Sequence, residues 1–249
     1  MINHHPTDAV LKEFVAGNLQ PSVAVIVASH VEMCPKCQNL VHQFTEMAAI
    51  QEFGATDGFD SETDFDLVAD AAETTMLTRL QVDEANQFVN TQADDVSIDM
   101  INAITDLPVQ REDVLPKTVP QIDVDGTRIS LPNAVKSIAL KEWQGLGKIA
   151  RARMNFDDDE RRMSLLHIAK GGNVPQHTHK GFEITLLLQG SFSDNMGTYN
   201  TGDFMWLDGS HTHNPITSEG CVCLTVSSDA IHFTQGMSKL LNPLGKLIY

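Results

Sequence analysis

Basic charge is what this 249-residue chain has least of: 17 Lys and Arg face 33 Asp and Glu, a formal net charge of −16 at pH 7. Phosphate neutralisation needs Lys and Arg, so this balance argues against non-specific binding to DNA, RNA or an anionic membrane. No apolar run approaches the ~20 residues that span a bilayer. Residues 1–8 are polar and carry no hydrophobic signal-peptide core, so the chain reads as cytoplasmic. No internal repeat is apparent. Cysteine is scarce, with four in two tight pairs, Cys34/Cys37 and Cys221/Cys223. In a reducing compartment such pairs mean metal or redox chemistry more often than structural disulfides. What remains is ordinary for a globular protein, 42% hydrophobic and 20% charged, and the length suggests one or two domains.

The acidity is concentrated. Residues 54–114 hold fifteen acidic residues and two basic ones, Arg79 and Arg111. That stretch reads as part solvated connection and part helix, and Pro108, Pro116 and Pro120 mark an extended linker at a domain boundary. Before it the pattern is helical. Ala9, Val10, Phe14 and Val15 follow the possible N-caps Thr7 and Asp8. A second helix is expected over Ser22–His30, and a third after Cys34 with Pro35 at its first position, where the missing N–H costs little. Ala71–Asn90 and Val96–Leu107 are further helix candidates. After the boundary the period shortens. Ile122–Val124 and Thr127–Ile129 flank Asp125-Gly126, a hairpin signal. Lys148–Met154, Met163–Ala169, Glu183–Leu188, Gly190–Ser193, Gly202–Leu207, Cys221–Val226 and Ile231–Phe233 follow as short strands, which implies a sandwich or a small barrel.

Two constellations carry chemistry. In His30-x3-Cys34-x2-Cys37, a CxxC turn at a helix start brings two thiols together, and the helix N-terminus favours thiolate. His30 lies one turn earlier. A distant fourth ligand would come from His5 or its neighbour His4. Two Cys and two His form a closed zinc set of structural type, useful to a short helical unit with little core. A thioredoxin-like pair would need a βαβ context that is missing. His42 lies too far along the third helix to share that face and reads as a surface or core histidine. A remote His followed by H-x3-C-x2-C in a short helical domain resembles the zinc-binding anti-sigma domain.

The second constellation is Gly171-x5-His177-x-His179-x3-Glu183-x6-Gly190. Alternate residues of a strand face one side, so His177 and His179 point together. A later histidine, His213 or His211, would complete a site for Zn, Fe, Mn or Ni. This spacing resembles the two motifs of the cupin superfamily, and that resemblance selects His213 over His211. Asp208 and Ser210 stand where the family usually has Pro and Gly. Cys221 and Cys223 alternate on one strand face, with a core role as the plain reading and a metal or redox role as the alternative.

A zinc anti-sigma domain followed by a cupin resembles the ChrR family of anti-sigma factors, and KGFEITLLLQGSFSD, GDFMW and CVCLTV look like that family's cupin-like domain. The resemblance implies a two-domain chain, helical then all-β. Residues 1–107 would form a zinc-bound helical bundle with its acidic segment, 108–119 a linker, and 120–249 a cupin β-barrel of jelly-roll type. It assigns His5, His30, Cys34 and Cys37 to a first metal site holding Zn²⁺. His177, His179, Glu183 and His213 form a second, for Zn²⁺ or another divalent metal. It implies an ECF (group IV) sigma factor as partner, no direct nucleic acid and no membrane. The first zinc would fix helices that clamp the sigma factor, with Ala71–Asn90 or Val96–Leu107 inserting between sigma domains. The cupin would sense a signal, such as singlet oxygen or organic hydroperoxide, and promote release. That is a regulator, not an enzyme. The rival expectations are a cupin metalloenzyme such as a dioxygenase and a zinc-thiol redox sensor that expels metal on oxidation of Cys34 and Cys37.

Overall fold

A computed structural model describes residues 2–54, 121–124, 126–156, 158 and 161–236. The candidate helices Ala71–Asn90 and Val96–Leu107, the boundary at 108–120 and most of the acidic stretch lie outside the described residues.

Three helices come first. Helix α1 (Asp8–Val15) is capped by Thr7, whose hydroxyl accepts the Val10 N–H, with Asp8 in its first turn and Lys12 in its last, each matching the helix dipole. Helix α2 (Pro21–Met33) has no side-chain cap of its own at Gln20. Its first turn is served from far away instead, by the buried Asp158, whose carboxylate accepts the backbone N–H and the hydroxyl of Ser22. Cys34 is extended and joins α2 directly to α3 (Pro35–Phe53), so the chain reverses at the first cysteine of the CxxC pair. Among the described residues, no helix is long and apolar enough to cross a membrane.

Eleven strands follow among the described residues: β1 (Gln121–Val124), β2 (Thr127–Ser130), β3 (Gln144–Leu146), β4 (Ile149–Arg153), β5 (Arg162–Ile168), β6 (His177–His179), β7 (Phe182–Ser193), β8 (Thr198–Asn200), β9 (Phe204–Asp208), β10 (Cys221–Ser227) and β11 (Ile231–Phe233). β1 and β2 form the expected hairpin. The main sheet has the order β3-β4-β5-β10-β7-β8, with β9 also on β7, and β6 pairs with β11. All of these pairings are antiparallel.

Two expectations change. The strands form an antiparallel β-sheet domain, but their ladder does not close on itself among the described residues, so the closed jelly-roll barrel is not what they show. And Glu183–Leu188 and Gly190–Ser193 are not separate strands. β7 runs unbroken through both because Gly190 takes φ 78°, and a register shift opposite Val222/Cys223 absorbs the bend. A Cβ at Gly190 would lie 2.1 Å from the Gly220 carbonyl oxygen, so the position also needs glycine for space.

The core is shared between helices and sheet. One apolar cluster joins Leu11, Val23, Ile26 and Val27 to Leu165, Ile184, Leu186, Phe204, Val222 and Leu224. α2 lies against β7 and β10. A second cluster, with Ile168, Leu187, Phe192, Tyr199, Cys221 and Cys223, fills the rest of the sheet domain.

Candidate metal centres

The reversal at Cys34 puts the thiols of Cys34 and Cys37 beside the last turns of α2, where His30 is fully buried. The segment before α1 brings His5 to the same place. The Nδ1 atom of His5 lies 3.4 Å from the Cys34 Sγ and 3.6 Å from the Cys37 Sγ, and the Nε2 atom of His30 lies 3.3 Å from the Cys37 Sγ. A tetrahedral ion with bonds of ~2.0–2.1 Å to nitrogen and ~2.3 Å to sulfur sets nitrogen–sulfur edges of roughly 3.5 Å. All four donor atoms lie within 4.8 Å of one another. The donor set therefore fits a small, thiophilic divalent ion. Its electrostatics agree. Burial, then the neighbouring Cys34, pushes the Cys37 thiol up to about 12, so the pocket holds thiolate only if a cation enters it. Burial holds His30 down at about 4, and burial also lowers His5, followed by Lys36, so both imidazoles stay neutral and able to ligate. His4 is not part of this group; its ring stacks on Tyr199 with centroids 4.7 Å apart. His42 is exposed on α3, with Nδ1 3.5 Å from Glu46.

The second group sits in the sheet domain. Strand alternation turns His177 and His179 of β6 inward, and both are buried. His213 is drawn to β6 by a pair of 3.0 Å backbone hydrogen bonds exchanged with His177. Glu183 follows at the start of β7. The Nε2 atom of His179 lies 3.4 Å from that of His213 and 3.2 Å from the Glu183 Oε2. The four donors again lie within 4.8 Å of one another. Three imidazoles and one carboxylate fit a divalent ion of borderline hardness. Burial takes His177 to about 3 and His179 to about 4, and lowers His213 as well. Burial raises Glu183 to about 7, against the pull of His213 and Arg151. His211 lies outside this group, paired with Asp208 at 2.9 Å on the surface. Cys221 and Cys223 are buried in the second apolar cluster, which agrees with a core role.

Sequence reasoning missed the groups behind the ligands. His30 donates through Nδ1 to the Gly202 carbonyl at 2.9 Å, and His177 through Nδ1 to the Pro175 carbonyl at 2.8 Å. His213 Nδ1 faces Asp194 Oδ2 at 3.1 Å, a carboxylate with a fully buried side chain. Each contact commits the far nitrogen and leaves Nε2 free for a metal. Nothing in the sequence tied Asp194, Pro175 or the carbonyl of Gly202, the first residue of an expected strand, to a histidine, and only their distance in space marks them.

Residues 133–230 match the family described as the ChrR cupin-like domain. The anti-sigma-E factor ChrR of Cereibacter sphaeroides is 26% identical over 249 residues, 99% of either chain. The crystal structure of Rhodobacter sphaeroides SigE in complex with the anti-sigma ChrR superposes with a TM-score of 0.57 at 20% identity, over 91% of this chain and 100% of that one. An RmlC-like cupin protein from Ralstonia eutropha is more distant, with a TM-score of 0.35, 17% identity and coverage of 38% of this chain and 67% of that one. Residues 133–230 thus resemble the ChrR cupin-like domain, and the likeness to a ChrR anti-sigma factor extends over nearly the whole chain.

Proposed function

We propose that this chain is a cytoplasmic anti-sigma factor, in which the N-terminal helices bind an ECF sigma factor and withhold it from RNA polymerase core. The end-to-end likeness to an anti-sigma-E factor carries this reading. One surface supports it: Met47, Ile50 and Phe53 on α3 are 54%, 59% and 84% exposed, an apolar edge that suits a protein partner better than water. His5, His30, Cys34 and Cys37 would hold Zn²⁺, which when bound cross-links α2, α3 and the segment before α1. His177, His179, Glu183 and His213 would hold Zn²⁺ or another divalent ion in a domain that registers the signal rather than catalysing a reaction. Singlet oxygen and organic hydroperoxides are the signals to try first.

Purified chain mixed with ECF sigma factors of its own host tests the reading. A one-to-one complex with one of them, lost in Ile50→Asp/Phe53→Asp protein that still melts normally, is expected. No complex with any of them, from protein with both metals in place, would turn the reading toward a cupin enzyme or a small-molecule sensor.

A further inference from the structure

The N-terminal metal group is not built by the helices alone. Both of its histidines are held by one turn of the sheet domain, residues 200–204. His30 is held directly, through its Nδ1 contact to the Gly202 carbonyl. His5 is held through the backbone just before it. The Asp203 Oδ1 accepts the N–H groups of Asn3 at 2.7 Å and His4 at 3.0 Å, and the Phe204 N–H donates to the His4 carbonyl at 3.0 Å. The other carboxylate oxygen, Oδ2, closes the turn itself by accepting the Asn200 N–H at 2.7 Å. Asp203 is completely buried, so the acceptor side of these bonds is shielded from water. At Gly202, φ 92°, an added Cβ would lie 2.4 Å from the Ile2 side chain, so the terminal segment is seated tightly on the turn.

We infer that Asp203 is a positioning residue for the N-terminal metal centre: the turn it closes fixes both histidine ligands, so the sheet domain sets how tightly that centre holds its ion. The inference rests on the proposal that His5, His30, Cys34 and Cys37 bind a metal. Without Asp203 the N–H groups of Asn3, His4 and Asn200 lose their acceptor, the segment carrying His5 is released, and the Gly202 carbonyl behind His30 is no longer held in register. The cysteines stay where the start of α3 puts them. The loss therefore falls on the two nitrogen ligands only.

The test uses the full chain. Cobalt(II) bound by two thiolates gives a thiolate-to-metal charge-transfer band that the all-nitrogen-and-oxygen cupin group cannot give, so the band reports the N-terminal centre alone. Zinc affinity follows from competition with a chromophoric chelator. Asp203→Ala is expected to weaken zinc at this centre by ~10–100-fold, the range for lost ligand-supporting contacts, and to alter the cobalt band. Metal bound at His177, His179, Glu183 and His213 should stay at the parent level. Asp203→Asn keeps an oxygen for Asn3 and His4 and should recover most of the loss. Zinc affinity in Asp203→Ala equal to the parent's overturns the inference. Should that variant not fold, His4→Pro removes one donor to Asp203 outside the core, and unchanged affinity there overturns the inference equally. A parent chain with no thiolate band at all refutes the metal assignment itself, a different result from a band that ignores residue 203.

Discussion

A histidine is a good ligand when one ring nitrogen is committed to a fixed partner and the other is neutral and turned inward. His30, His177 and His213 all meet that condition. For His213 the partner is the buried Asp194, whose Oδ1 is also tied to the N–H groups of Met196 and Gly197. Asp194→Ala should therefore lower metal affinity at the cupin group by ~10–100-fold, measured by chelator competition, while the thiolate cobalt band is unchanged. An unaltered cupin affinity would mean that the backbone bonds to His177 suffice to orient His213. Acidity is expected to weaken the metal-free chain. Burial lowers His30 and His179 to about 4 and His177 to about 3 from an ordinary 6.5, so on acidification the unfolded chain takes up these protons first. Their contribution is complete above pH 6.5 and declines as pH falls toward 4. Glu183 acts in the opposite sense, holding a proton in the folded state between 4.5 and about 7, but it is one group against three. The urea midpoint of chelator-treated protein should be lower at pH 5 than at pH 7; a higher midpoint at pH 5 would contradict the buried, neutral histidines. The two donor clusters were legible in the sequence because metal chemistry restricts residue type and spacing. The carboxylate and carbonyls behind them were not, since Asp and Gly in turns have many uses.

At the scale of elements, α2 shows how a local rule is met by distant residues. Gln20 does not cap it, and Asp158 does so from the loop ahead of β5. Arg161 stands 3.6 Å from the other carboxylate oxygen of Asp158. Asp158→Ala would leave the Ser22 N–H and hydroxyl buried without an acceptor. A cost of about 1–3 kcal/mol is expected, read as a lower urea midpoint, with Asp158→Asn closer to the parent. A midpoint within error of the parent would show that water replaces the carboxylate. The starts of α1 and α3 were legible from Thr7 and Pro35, which are local signals, while α2 was expected over Ser22–His30 and starts one residue earlier, at Pro21. β3 and β8 are three residues each and gave no periodic stretch long enough to read, whereas the alternation of His177 and His179 had already placed β6 on a strand. The continuity of β7 was hidden because Gly190 looks like a break, and only the partner strand β10 shows that it is a bend.

At the scale of the whole molecule, the division into helical and β portions was visible from the change of period, whereas the packing of α2 on β7 and β10 was not. An apolar helix face names no partner until the other element is in place. Charge acts at this scale too. With a net charge of −16, association with a sigma factor that exposes basic surface should be steered by long-range attraction. The association rate in stopped flow should fall on the order of tenfold between low and physiological salt, with a smaller change in dissociation. A rate indifferent to salt would assign recognition to the apolar edge of α3 alone.

The bonds from Asp203 to Asn3 and His4 span 200 and 199 positions of the chain. A ribosome adds residues at about 5–20 per second, so on the order of ten seconds or more separates the emergence of His5 from that of the turn that seats it. Through that interval the cysteines and His30 are already outside the ribosome, without the carbonyl and carboxylate that complete their surroundings. The donor group written first in the sequence is thus among the last to be finished, because the turn that seats its first histidine arrives only just ahead of β9.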